Sequence, residues 1–230
     1  MSEISYYREY AQIAIKQYAE KDAASRYMLV DAVGDLDVKR VLDIGCGAGQ
    51  EMLPFIEKKN AFCVGIDIGE ELGKIGNEVA ENFKCKENLS FSRSKGEELP
   101  FADESFDVVL CRVALPYMHN KKTIREVARV LKSGGVFLLK THAPMFYFGM
   151  LPARVKTLNP KQIAYPLICL ANGIWHQLSG NQLNKGFWEG KEVFQTKGFL
   201  EKEFSKHNMK IEGTLSDDNI QSPSFLVRKN

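Results

Sequence analysis

From Val38 onward, short runs of consecutive apolar residues alternate with stretches whose apolar positions recur every three or four residues. That alternation predicts a parallel sheet with helices on both faces. The runs place strands near 39–44, 61–66, 89–93, 106–111 and 134–140. Between the last two, Ile124, Val127, Ala128 and Leu131 form a stripe that predicts an amphipathic helix over 121–132, stopped by Ser133-Gly134-Gly135. Met209–Glu212 and Ser224–Arg228 read as a sixth and a seventh strand. Upstream, Tyr6, Tyr7, Tyr10, Ala14 and Tyr18 fall near one helical face, and a second helix through Met28, Leu29, Ala32 and Val33 ends at Gly34. Such a stripe is first of all core packing. Tyr6, Tyr7 and Tyr10 are also substrate candidates, because their hydroxyls can reach a ligand while the rings pack.

The segment 143–190 separates the fifth strand from the rest of the sheet and carries both tryptophans, Trp175 and Trp188. Insertions at the C-terminal edge of a parallel sheet face the ligand crevice, so this segment is expected to cover the substrate. Its apolar stretch from Ile163 to Leu170 is interrupted by Pro166 and is too short and broken to span a bilayer. A buried helix is the plainer reading of it; an apolar pocket or a membrane-surface face is the sharper one.

The first strand runs into Asp43-Ile44-Gly45-Cys46-Gly47-Ala48-Gly49-Gln50. Alternating glycines let the backbone turn tightly, approach a ligand closely and enter a helix at once, which predicts a nucleotide-like ligand. A dinucleotide fingerprint wants its third glycine three positions after the second, where this chain has Gln50. A carboxylate at Asp43 repels a pyrophosphate and attracts a ligand bearing an ammonium and a sulfonium, so the loop points to S-adenosylmethionine. Taken alone, the motif also reads as a plain turn. Asp67 closes the second strand 24 residues after Asp43, where a carboxylate can accept both ribose hydroxyls. Its plainer reading is a helix-cap or turn aspartate.

Residues from about Val38 to Lys140 resemble the catalytic domain of class I S-adenosylmethionine-dependent methyltransferases. The resemblance rests on Asp43 to Gly49, Asp67, Gly96-Glu97-Glu98-Leu99-Pro100-Phe101, Ser105-Phe106-Asp107-Val108-Val109, and the run from Glu126 to Gly135. It is strongest to the branch that methylates small molecules, including quinone-biosynthesis enzymes, and covers somewhat under half of the chain. The resemblance implies an α/β fold: a seven-stranded Rossmann-like sheet, mostly parallel, whose last strand inserts antiparallel between the fifth and sixth. N-terminal helices and a helical insertion after strand 5 would act as a lid. It also implies that Ile68, Gly96, Glu97, Arg112 and Val113 join Asp43, Gly45, Cys46, Gly47, Gly49 and Asp67 around the cofactor. Two departures matter. Lys95 stands where many relatives carry an adenine-binding aspartate, so backbone groups of Gly96 and Glu97 are expected to take that contact. Cys111-Arg112-Val113-Ala114-Leu115-Pro116-Tyr117 lacks the Asn/Asp-Pro-Pro-Tyr run that holds planar amino acceptors, which disfavours adenine and glutamine methylation.

The 230 residues, 44% of them apolar, suffice for one elaborated domain, divided as an N-terminal helical cap (1–36), a cofactor-binding core (37–142), a helical substrate cover (143–206) and a final strand pair (207–230). A net charge of +2 with interspersed signs offers no field for a nucleic-acid backbone. Five widely spaced cysteines without a Cys-x-x-Cys pair, and an N-terminus without a secretory signal, fit reduced thiols in the cytoplasm. Cys46 is expected as a small residue that fits the turn, although a helix N-terminus can also lower a thiol pKa. The four histidines lack metal-ligand spacing, so no metal is expected. Oligomeric state is open, and a homodimer is compatible.

Methyl transfer from a sulfonium needs mainly positioning. A base is required only for a protonated acceptor; His142, directly after the fifth strand, is the first candidate and His119 the second. Arg112 is placed to orient an anionic acceptor or the cofactor carboxylate, and Tyr117 and Trp175 join the tyrosines as substrate candidates. The expected reaction is transfer to oxygen or carbon of a small, partly apolar metabolite. The rivals are a nicotinamide-dependent oxidoreductase and a catalytically silent cofactor-binding or assembly protein.

Overall fold

A computed structural model describes residues 9, 12, 13, 16, 18–69 and 72–230. The expected contacts of Tyr6, Tyr7 and Tyr10 lie outside these residues. The chain forms α1 (Ala23–Ala32), β1 (Arg40–Ile44), α2 (Leu53–Lys59), β2 (Phe62–Asp67), α3 (Leu72–Asn82), β3 (Leu89–Arg93), β4 (Phe106–Arg112), α4 (Asn120–Val130) and β5 (Leu131–Lys140). There follow α5 (Pro144–Lys156), α6 (Pro160–Ser179), α7 (Lys197–Ser205), β6 (Met209–Thr214) and β7 (Ser224–Lys229), with single 3-10 turns at Leu115–Tyr117 and Gly186–Trp188.

The seven strands order β3-β2-β1-β4-β5-β7-β6, with β7 antiparallel to both neighbours. This is the Rossmann-like sheet with an inserted antiparallel strand that the sequence leads one to expect. Strand β4 is buried at Phe106 to Cys111 because helices cover both of its faces. Alternate residues divide between two cores. Val41, Cys63, Val108, Leu110, Val136 and Leu138 pack with Leu29, Phe55 and Val79 on one side. Leu42, Val64, Val109, Cys111, Phe137 and Leu139 pack with Ile124, Val127, Leu200 and Phe204 on the other. The strand order reverses between β1 and β4, and the crevice that opens outside their C-terminal ends is the ligand position of such sheets.

Two features differ from expectation. Helix α4 ends at Val130, and Leu131 is already extended at φ −77°, ψ 132° and opposite Phe106 in the sheet. Leu131 is fully buried as a strand residue, and Gly134 at φ 77° shapes the irregular start of β5. The helical stripe is therefore Ile124, Val127 and Ala128, and Leu131 belongs to the strand. Pro166 does not break the apolar stretch around it: α6 runs through it for 20 residues, with Asn159 accepting from the amides of Lys161 and Gln162 at its start and Gly180 in the left-handed region at its end. Among the described residues, no helix is long and apolar enough to cross a membrane. The 143–190 segment becomes the α5–α6 hairpin, anchored by a small third core of Tyr147, Cys169, Leu170 and Phe194.

Candidate active site

The turn after β1 is held by the strand beside it. The amides of Gly45 and Cys46 both donate to the Ile66 carbonyl, at 2.8 and 3.1 Å, and the Gly47 amide donates to Asp67 Oδ2 at 3.1 Å. Gly45 and Gly49 lie at φ 71° and 80°, where L side chains are strained. A Cβ on Gly45 would collide with Ala114, and one on Gly49 would stand 2.7 Å from the Phe91 ring. The glycines are thus required by close approach as well as by conformation.

Two cavities meet at Gly45. The larger, of about 690 Å³, is bounded by Asp43, the Gly45–Gly47 turn, Glu51, Arg112, Val113, Lys140 and Asp217, with α1 contributing Ala24, Ser25 and Met28. The smaller, of about 370 Å³, lies between the end of β2 at Asp67 and Ile68, the Lys95–Glu97 turn, and Tyr117, His119 and Trp188. Ten of the eleven expected cofactor residues line one or both; Gly49 lies behind the turn, against Phe91 and Met52.

Asp43 is almost wholly buried in the wall of the larger cavity. Burial, together with the charges of Glu51 and Asp67, pushes its carboxyl well above the ordinary range against the opposing pull of Arg112. Burial also raises the Cys46 thiol, with Asp43 and Asp67 adding to the shift, so the turn does not activate this cysteine. Asp67 Oδ1 accepts from the amides of Ile68 and Gly69 at 2.7 and 3.2 Å, so this carboxylate organises its own turn while it faces the smaller cavity. Glu97 Oε1 accepts from the His119 amide at 2.7 Å, tying the wall after β3 to the loop after β4. Lys95 is solvent-exposed, and Gly96 is buried beneath Met118.

Arg112 and Lys140 are register partners at the ends of β4 and β5. Both engage Asp217 in the β6–β7 loop, Lys140 at 2.7 Å, and Arg112 also donates to Ser224 Oγ at 2.8 Å. Burial raises the Asp217 carboxyl, but Lys140 and Arg112 outweigh it and hold the group below its usual range. Between them, Val113 takes φ 66°, a strained conformation for a β-branched residue, and its amide donates to the Lys140 carbonyl.

A family described as a methyltransferase domain matches residues 36–197. The chain belongs to this family. An uncharacterized methyltransferase of Bacillus subtilis, YcgJ, is 42% identical over 107 residues, a stretch that spans 45% of this chain and 40% of that protein. A sterol 4-C-methyltransferase of Caenorhabditis elegans is 36% identical over 99 residues, 43% of this chain and 29% of the relative. The chain therefore spans less than half the length of these curated relatives. The crystal structure of an S-adenosylmethionine-dependent methyltransferase from Methanosarcina mazei shares the fold with a TM-score of 0.62 and 20% identity, over 87% of this chain and 96% of that one.

Within this methyltransferase fold, the candidates outside the cofactor set scatter. Tyr117 and His119 flank the smaller cavity, whereas Trp175 lies exposed on α6 and His142 lines neither cavity. His142 is buried, stacked on Phe146, with Nδ1 2.8 Å from Glu192 Oε2. The hydroxyls of Tyr147 and Tyr165 donate to the same carboxylate at 2.9 and 2.5 Å. Burial raises the Glu192 carboxyl, but these three partners prevail and hold it low, while burial and Glu192 raise both phenols. This cluster joins the α5–α6 hairpin to the loop before α7. Sequence reasoning missed Lys140, Asp217 and Glu192. Lys140 had a legible signal, its place at a strand's C-terminal end; the two acids lie in loops whose partners are far away in the chain.

Proposed function

We propose that the protein transfers a methyl group from S-adenosylmethionine to an oxygen or carbon of a small, partly apolar metabolite. The observation that carries this reading is the pair of cavities meeting at Gly45, with buried Asp43 in one and Asp67 in the other. The residues present fit the cofactor. A carboxyl held well above its ordinary range in a cavity wall is poised for a cationic ligand group, and the side-chain-free turn at Gly45 lines both cavities, so its backbone faces the ligand space. In this proposal Asp67 holds the ribose hydroxyls, the backbone of Gly96 and Glu97 meets the adenine, and Asp43 meets the amino-acid end. When bound, S-adenosylmethionine supplies an electrophilic methyl group on a sulfonium.

The chain's own contribution is placement and exclusion of water, which can be worth ~7–11 kcal/mol of barrier. Arg112 and Lys140, held by Asp217, orient the acceptor's polar end at the edge of the larger cavity. Glu192 Oε2, 2.8 Å from His142 Nδ1, fixes the orientation of the imidazole ring. Because His142 lines neither cavity, positioning rather than a protein base is assigned the main role. The sterol-directed relative supports an apolar acceptor and transfer to carbon.

The test is calorimetry with S-adenosylhomocysteine and with NADH, followed by transfer of a labelled methyl group to a metabolite panel. Binding of S-adenosylhomocysteine with label transfer supports the proposal. Binding of NADH alone would replace it with a redox function. Tight S-adenosylhomocysteine binding without transfer to any panel member would favour a silent cofactor-binding protein.

A further inference from the structure

We propose that the α5–α6 hairpin is a docking element for an anionic phospholipid bilayer surface. Both helices are apolar on more than the side they bury. Helix α6 buries Pro166, Cys169, Leu170 and Gly173 against the body of the protein, yet Leu167, Ile174, Trp175 and Leu178 on its other side are about half exposed or more. These four, with exposed Ala171 between them, follow the three-to-four-residue spacing of a single stripe. Helix α5 repeats the arrangement: it buries Tyr147 and exposes Met145, Phe148 and Val155. The turn between them projects Leu158, 85% exposed and in the left-handed region at φ 53°. A helix apolar all round is normally buried, and scattered exposed apolar residues need no account, but two adjacent exposed stripes joined at an apolar tip require an occupant.

Charge selects which occupant. None of residues 127–188 is acidic, in a chain that carries 29 Asp and Glu. The cations nearest the tip are Arg154, Lys156 and Lys161, with Lys156 and Lys161 exposed. A second copy of this chain would bring equal positive charge to the same tip, whereas an anionic bilayer matches both the apolar stripes and the basic flank. Interfacial elements of this kind lie in the headgroup boundary without spanning it, in agreement with a hairpin in which no helix qualifies as a span. The tyrosine–glutamate cluster beneath the stripes ties the hairpin to the body of the protein.

The experiment is flotation of the full chain with vesicles of phosphatidylcholine alone and of phosphatidylcholine with about one third phosphatidylglycerol, since basic residues near such a surface respond to its negative potential. The expected result is recovery with the anionic vesicles, at least tenfold weaker binding to the neutral ones, and loss in about 1 M salt, where the screening length falls to about 3 Å. The double variant Leu158→Glu, Ile174→Glu should bind at least tenfold more weakly while keeping wild-type affinity for S-adenosylhomocysteine. The surface variant Lys156→Glu, Lys161→Glu supplies the same test without touching an apolar position. Equal flotation of wild type and variants would overturn the proposal, as would absence of wild-type binding. Light scattering that shows a dimer dissociated by Leu158→Glu, Ile174→Glu would overturn it in favour of self-association.

Discussion

Replacing Asp43 by Asn removes one negative charge from the wall of the larger cavity and leaves the shape almost unchanged. Asp43 is 2% exposed, and its carboxyl is raised by burial and by Glu51 and Asp67. A carboxyl raised in the folded state makes the ionised form unfavourable there. Stability is then lost as pH rises above the unfolded value of about 3.9 and through the higher folded value. Asp43→Asn should therefore unfold at a higher temperature than wild type at pH 7 and show a flatter dependence of stability on pH. Ligand binding should move the other way. If the carboxylate meets the ligand's ammonium, loss of a charge-assisted bond of ~1.5–3 kcal/mol weakens binding roughly 10- to 150-fold. For wild type, affinity should also fall as acid protonates Asp43; for the variant that acid limb should vanish. Thermal unfolding and calorimetric titration with S-adenosylhomocysteine on the same samples measure both effects. A folded variant with affinity unchanged within a factor of about three, or one less stable than wild type at neutral pH, would refute the electrostatic role.

Three further substitutions probe other parts of the molecule. Asp67→Ala should weaken S-adenosylhomocysteine binding by more than about tenfold, because it removes both the ribose acceptor and the partner of the Gly47 amide; titration calorimetry reads this directly. Val113→Asn should stabilise the fold by about 1 kcal/mol in urea unfolding, since Asn tolerates φ 66° better than Val, and a destabilised variant would remove strain as the account of that residue. Glu192→Ala strands His142, Tyr147 and Tyr165 without their shared acceptor and should cost about 3 kcal/mol or more by urea denaturation at pH 7. Because the Glu192 carboxyl is lowered in the fold, its contribution is present above the unfolded value of about 4.3 and disappears as pH falls through the folded value, so wild type and variant should converge in acid.

The sheet and the glycine turn were legible because each depends on contiguous residues. The apolar run of β1 has to be covered on both faces, and the glycines after it have to turn, whatever lies elsewhere. The end of α4 was not legible for a related reason. Leu131 satisfies the helical stripe and the strand equally, and its pairing with Phe106 decides between them. Pro166 reads as an interruption in the sequence, whereas helix α6 accommodates it about two turns beyond its Asn159 cap. The largest omissions, Asp217 and Glu192, are loop carboxylates that acquire meaning only through partners 105 and 50 residues away. His142 illustrates the cost: its place directly after β5 made it the first base candidate, but it lines neither cavity, and the buried glutamate it pairs with was invisible in the sequence.

The distribution of charge along the crevice bears on which ligand the glycine turn serves. Such turns occur wherever a nucleotide meets the start of a helix, so their presence is neutral between a diphosphate and a sulfonium. Asp43 and Asp67 are not neutral. Burial above all, with Glu51 and Asp67 adding to it, raises the cost of ionising Asp43, and burial with Asp43 and Asp67 raises the Cys46 thiol between them. A diphosphate seated over Gly45 to Gly47 would add negative charge to that pair at low dielectric and increase the penalty. A ligand with an ammonium and a sulfonium relieves it. The cations of the crevice, Arg112 and Lys140, stand at the ends of β4 and β5 and are already engaged by Asp217, so they are poorly placed to rescue a diphosphate on the turn. The same reasoning gives Asp217→Asn a definite sign: freeing Arg112 and Lys140 should strengthen binding of anionic acceptors without strengthening that of NADH, and a variant that acquired NADH affinity would contradict this assignment of charge.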